Sequence, residues 1–435
     1  MMVKPMLRTL ALLALAGMPM VAHAQADAAD AVDSGDTAFV LGAGLLGFGM
    51  ILPGAVLHHG GALRARAFAA LAVQTGAIAA VVSLLWIMVG YTLAFGTVTT
   101  GWLGSGNAWM LIDLANVRGA SAVPEVVFVW LQLGFAVLAA SALTGAWAER
   151  GNIAWIVPFA GLWSILVYAP IAHWLAGGGW LAARLGTVDT GGALHVHACI
   201  GISALVITLL MGRRTGFAPG DRPPGHAPAV ALAGCGMVWV ALLALTAGST
   251  LAASDDAGTT LINLQVAAAT GALVWLLIDA MTLGKVQPLS LARGALAGLI
   301  AASAAAEAYA PGAAMVAGLI GAVMAWIGAR LIRAGAIDDA VDLVSVHGIA
   351  GLAGAMLAAP LIAGTLGGTG YAVAMGPARQ VVAQAVAAGA VVAWSAIGTA
   401  IAALMVAMVV PMRVSEADEA RGLDEASHGI KAKDD

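Results

Sequence analysis

A chain of 435 residues that is 61% hydrophobic and only 10% charged carries more apolar surface than a soluble core of that size can bury, which excludes a water-soluble domain and implies a bilayer. Its formal charge of -4 offers nothing to attract a nucleic acid. The 56 glycines argue for closely packed helices, and Cys199 and Cys235, each inside an apolar run, read as packed side chains without a disulfide or metal role.

From the N-terminus, Lys4 and Arg8 precede the apolar run Leu10 to Met18, and Ala22-His23-Ala24 supplies small residues for cleavage. Residues 1–24 are therefore read as a signal peptide, which leaves Gln25 first on the outer face. Stretches of spanning length then follow at 37–57, 67–95, 124–147, 152–174, 190–212, 227–248, 260–283, 290–307, 311–332, 344–363 and 382–411. The expected fold is an all-α membrane protein of eleven transmembrane helices, with residues 25–411 as the membrane domain and 412–435 as a C-terminal tail. Pro53, Pro158 and Pro170 fall inside spans, where neighbouring helices can satisfy the freed carbonyls.

An odd number of spans with the N-terminus outside puts the tail in the cytoplasm of a bacterial inner membrane. The basic residues agree: fourteen, from Arg64 and Arg66 to Lys431 and Lys433, fall on the inner side, against Arg118, Arg184 and Arg379 outside. Eleven spans divide as a 5+5 inverted repeat plus a final long helix. In that division Asp189 opens span five ahead of His197, and Asp342 opens span ten ahead of His347. Both histidines then approach the bilayer centre from opposite faces. Imidazole both donates and accepts hydrogen bonds near neutral pH, so two of them at matched depth point to a pore. Asp189 and Asp342 are expected to cap their helices.

The order and spacing of local motifs resembles the ammonium transporters of the Amt/Mep/Rh superfamily over nearly the whole mature length. The matches include Leu52-Pro53-Gly54, Gly90-Tyr91, Ala148-Glu149-Arg150, Pro170-Ile171-Ala172-His173 with Gly177-Gly178-Gly179, Ala247-Gly248-Ser249, Val346-His347-Gly348, Gly422-Leu423-Asp424 and Ser427-His428-Gly429. The resemblance implies a homotrimer with one pore per subunit, no cofactor, and ammonium or ammonia as the substrate. It maps His197 and His347 onto the twin pore histidines, Phe135 onto the outer gate phenylalanine, and Ser249 onto the hydroxyl of the external ammonium site. It also implies a tail that couples subunits, with a PII-type signalling protein as a partner on the cytoplasmic face; the family's acid after Ser427-His428-Gly429 is Ile430 here.

Aromatics are missing where the resemblance expects them. Ala176 stands for the tryptophan of the external site, Leu131 for its phenylalanine, and Leu245 for the second gate phenylalanine. A weakened cation site is therefore expected. His58 and His59 replace aromatics at the end of span one and are placed near the cytoplasmic vestibule. His195, two residues before His197, should face away from the pore on a regular helix. No HExxH or GxSxG motif supports an enzyme, and Glu307 lacks an evident second carboxylate. Two alternatives stand beside ammonium transport: another small amine or solute, or an ammonium sensor with little conduction.

Overall fold

The computed structural model describes residues 32–106, 109–218 and 225–431. The expected signal peptide, with Arg222 and Lys433 of the basic set, lies outside them. The helices in chain order are α1 Ser34–Ala62, α2 Ala65–Phe95, α3 Glu125–Gly145, α4 Ile153–Leu185, α5 Ala193–Met211, α6 Pro228–Gly248, α7 Asp255–Leu283, α8 Pro288–Ala302, α9 Pro311–Ala334, α10 Val344–Leu361 and α11 Pro377–Ala407. Among the described residues ten of these are long and apolar enough to cross a bilayer; α8, at 15 residues, is shorter. At about 1.5 Å per residue α8 covers roughly 22 Å. The expected span 290–307 breaks where Ser303 turns its hydroxyl back on Ile300 O at 2.8 Å. Asn263 of α7 then donates to the carbonyls of Ala306 and Tyr309, both at 2.8 Å, so the non-helical chain stays hydrogen-bonded inside the protein.

Helix starts follow local chemistry. Asp33 caps α1 by accepting from Asp36 N at 2.8 Å, Asn152 caps α4, and proline opens α6, α8, α9 and α11. Small residues set the packing. A side chain at Gly298 of α8 would run into the Ala267 carbonyl of α7, and one at Gly271 into the Gly294 carbonyl. Backbones in that kind of contact hold a membrane bundle by dispersion where no hydrophobic drive exists between helices.

The loops after α1, α3, α5 and α9 meet on one face of the bundle. Glu149 bridges Arg64 at 3.0 Å and Arg214 at 2.6 Å, while Asp338 bridges Arg214 at 2.8 Å and Arg150 at 3.4 Å. Burial opposes ionisation of Glu149, but Arg214 and Arg64 outweigh it and hold the carboxyl below its usual range. Burial also brings the Arg150 guanidinium down to about 10 against the pull of Asp338. The tail docks on this same face through two short helices, α12 Glu416–Arg421 and α13 Leu423–His428. Glu419 takes Arg413 at 2.5 Å and Thr215 N at 2.6 Å, and Asp424 accepts from Ala69 N and Ala70 N near the start of α2. Ile430 lies exposed beyond them. We call this the tail face and its opposite the far face.

Candidate functional site

α5 and α10 each open with a single π-helical turn, Ala193–Ala198 and Val344–Ile349. A π turn widens the helix and re-aims its side chains. Eight residues before each of the two histidines stands an aspartate, Asp189 before His197 and Asp339 before His347. Asp189 accepts from Leu194 N at 3.0 Å and His195 N at 2.9 Å; Asp339 accepts from Leu343 N at 3.0 Å and Val344 N at 2.9 Å. Three residues after each aspartate the chain turns left-handed, at Gly192 with φ 87° and at Asp342 with φ 60°. Asp339 is thus the cap of α10, and the expectation for Asp342 is corrected. Asp342 occupies the corner, where two guanidiniums compete for it, Arg293 at 2.6 Å and Arg333 at 3.2 Å.

The matched lead-ins bring the two buried imidazoles together, with His197 Nδ1 3.0 Å from His347 Nδ1 and the ring centroids 5.1 Å apart. One of these nitrogens carries the hydrogen and the other accepts it, so the rings hold opposite tautomers. The pair therefore presents one bare Nε2 and one Nε2–H. Main-chain contact sets their separation. Gly201 and Gly351 each lie four residues after their histidine; a side chain at Gly201 would strike the backbone of Gly348, and one at Gly351 the carbonyl of Ala193 and the amide of Ala198.

Two cavities flank the pair. The tail-face cavity, about 30 Å³, is lined by His347, His58, His59, Arg293 and apolar side chains. His58 Nδ1 lies 3.0 Å from Ala231 O, which can only accept, so Nδ1 carries the hydrogen. His59 Nδ1 lies 2.9 Å from Thr144 Oγ1, whose own hydrogen goes to Ser141 O. His59 therefore donates too, and on both rings Nε2 is the nitrogen left bare.

The far-face cavity, about 400 Å³, is lined by Phe135, Ala176, Ser249, Gln132, Asp189 and His195 among others. Ser249 spends its hydrogen on Leu245 O at 3.1 Å, and Gln132 Oε1 is buried without a hydrogen-bond partner among the described residues. Leu131 and Leu245 line neither cavity. Both are fully buried, Leu131 against Gly248 and Leu245 against Gly47 and Gly134. His195 does not face away as α-helical spacing predicts. The π turn swings it into the cavity, 6.2 Å from the Phe135 ring, with Nδ1 2.8 Å from Asp189 Oδ2.

Sequence reasoning missed Asp339, although its spacing from His347 repeats that of Asp189 from His197. It also missed Gln132 and Arg118. Arg118 lines the far-face cavity, lies 4.2 Å above the Phe128 ring and pairs with Glu125 at 3.1 Å, so a resident cation already covers an aromatic face there. Glu307 accepts from Thr190 at 2.6 Å, one residue from Asp189.

The model of the Ammonium Transporter Family matches residues 38–433. The ammonium transporter of Aquifex aeolicus is 34% identical over 404 residues, covering 92% of this chain and 94% of its own. That of Bacillus subtilis is 32% identical over 407 residues, covering 92% and 99%. Among solved structures, a Sensor Amt Protein matches with a TM-score of 0.85 at 26% identity, over 91% of this chain and 98% of its own. Mep2 of Candida albicans matches with a TM-score of 0.82 at 28% identity, over 90% and 89%.

Proposed function

The chain belongs to the ammonium transporter family, and on that premise we propose that it passes ammonium nitrogen across the membrane as ammonia along the His197–His347 pair. The observation that carries this reading is the buried 3.0 Å contact between the two Nδ1 atoms, with a cavity toward each face. A bare cation in a narrow apolar passage costs several kcal/mol or more, whereas ammonia needs only hydrogen-bond partners. The histidine pair offers one donor and one acceptor. Potassium cannot shed its charge, so deprotonation separates two cations of similar size.

Phe135 acts as the gate in this reading, and Ser249, with Ala176 in place of a ring, forms the external site; Leu131 and Leu245, packed against glycines away from the cavity, leave the site and the gate without their second rings. Each missing ring forgoes about 0.5–2 kcal/mol, so capture is weaker by one or two orders of magnitude. Asp189 supports its histidine helix from the far face as Asp339 does from the tail face. The excess of basic residues on the tail face supports a cytoplasmic tail in a bacterial inner membrane. The family resemblance extends the proposal to a homotrimer and to a PII-type protein as the partner on that face.

Ammonium, methylammonium and potassium jumps on purified protein in liposomes adsorbed to a solid-supported membrane test the reading. An ammonium current absent with potassium, and changed at least about tenfold in His197→Ala and His347→Ala, is the expected result. Equal ammonium and potassium currents would sink the mechanism. Similarity to the Sensor Amt Protein favours a second reading, a sensor with little conduction. Ammonium binding without current or ammonia flux would select it.

A further inference from the structure

We propose that Asp189 and His195 form a carboxylate–imidazole dyad that takes the proton from ammonium in the far-face cavity. The proposal rests on the transport reading above and names the base that reading needs. A carboxylate accepts only, so the 2.8 Å contact from Asp189 Oδ2 to His195 Nδ1 puts the ring hydrogen on Nδ1. Nε2 is left as the basic atom, and it has no hydrogen-bond partner among the described residues. The ring lines the cavity beside Ser249, Gln132 and Phe135. Ser249 has given its own hydrogen away, and Gln132 Oε1 has no partner, so both oxygens are free to accept N–H groups from a bound cation. Three acceptors lining one cavity suit an N–H donor, and they offer hydrogen bonds in a site that lacks the expected aromatic rings.

The step balances simply. One N–H bond of ammonium breaks, its electron pair stays on nitrogen to give ammonia, and the proton forms a new bond at His195 Nε2. The imidazolium so formed is held by the Asp189 carboxylate. Asp189 is itself pinned by the N–H groups of Leu194 and His195 and stays in place as the charge develops. Ammonia then has only the turn of helix from His195 to His197 to descend before it meets the paired imidazoles. The imidazolium is reset when its Nε2–H bond breaks and the proton passes to water at the far-face mouth, before the next ammonium arrives.

The charged and titratable groups around the dyad are Arg118 in the cavity lining with its partner Glu125, Glu307 behind Thr190, the buried Tyr168 and Tyr309, and His197 on the same turn. Arg118 opposes a second positive charge in the cavity, which makes a neutral acceptor at Nε2 more useful than a fixed anion–cation trap.

The test is ammonium transport by the full chain in liposomes as a function of external pH, for wild type, His195→Asn and Asp189→Asn. Asn at 195 keeps a donor for Asp189 but has no base, so packing is preserved while the chemistry is removed. We expect transport to fall about tenfold or more in His195→Asn, with a changed dependence on external pH, and a smaller fall in Asp189→Asn. Thermal midpoints of purified protein separate a folding defect from a chemical one. An active wild type with His195→Asn unchanged in rate and pH profile overturns the dyad alone. A wild type without ammonium transport overturns the transport reading, and this step with it.

Discussion

The lead-in to α5 and the lead-in to α10 share one construction and serve different surroundings. Each runs from an aspartate that caps two amides, through a left-handed corner, into a π turn that delivers a histidine eight residues on. The residues hung on that frame differ. Where α5 has Gly192 at the corner, α10 has Asp342 tied to two arginines; where α5 has His195 two residues before its pore histidine, α10 has Ser345. Before the cap, α5 has Val188, whose amide and carbonyl pair with Gln384 at 2.9 Å each, and α10 has Asp338 among arginines. The geometry that brings the imidazoles together is thus separable from the chemistry at each mouth, and the two lead-ins can be altered independently.

The largest effect is expected where they touch. Gly201→Val places a side chain into the backbone of Gly348 and should destabilise the fold by about 3 kcal/mol or more, read as loss of monodisperse protein or a large fall in thermal midpoint. A normal midpoint would mean that the helices do not meet there. Next, Asp189→Asn and Asp339→Asn should cost similar stability, about 1–2 kcal/mol each, because each removes a charged cap on two amides. Only Asp189→Asn should alter the pH profile of transport. Matching profiles would erase the distinction between the two mouths. Arg118→Gln removes a fixed cation from the far-face cavity and should lower the half-saturating ammonium concentration about fivefold, roughly 1 kcal/mol, in current titrations.

The smallest effect concerns pH and the lead-in to α10. Burial opposes ionisation of Asp338, but Arg214 and Arg150 prevail and hold it low; Glu149 is held low in the same way. Carboxyls depressed on folding add stability above their unfolded pKa, about 4, that is lost as pH falls through the lower folded values. Proteolysis of the Asp338 loop should therefore begin only below about pH 4. The Val188 lead-in, tied by an amide, should stay protected throughout. Exposure of the loop between pH 6 and 5 would contradict this ion-pair account.

Much of this was legible in the sequence. The apolar runs predicted most of the spans to within a few residues, because a long run of Ala, Val and Leu between charged loops has one physical solution in a bilayer; α4 is an exception, running on to Leu185 past the expected end at 174. The early end of α8 was not legible, since Ser303 and Asn263 terminate it through contacts between elements distant in the chain. The histidine pairing followed from spacing, yet the cap was assigned to Asp342 rather than Asp339, because either acid precedes the helix and only the left-handed corner tells them apart. His195 was misplaced for a related reason. Its direction depends on a π turn, and residue periodicity alone carries no mark of that.

The Gly201–Gly348 contact has a consequence for how such a passage tolerates change. Because the distance between the imidazoles is gauged by main chain resting on main chain, the bore behaves like a caliper locked at its stop. Exchanges at Ala176 or His195 leave the stop untouched, so the mouth can be refitted for a different incoming solute while the calibre of the passage stays constant.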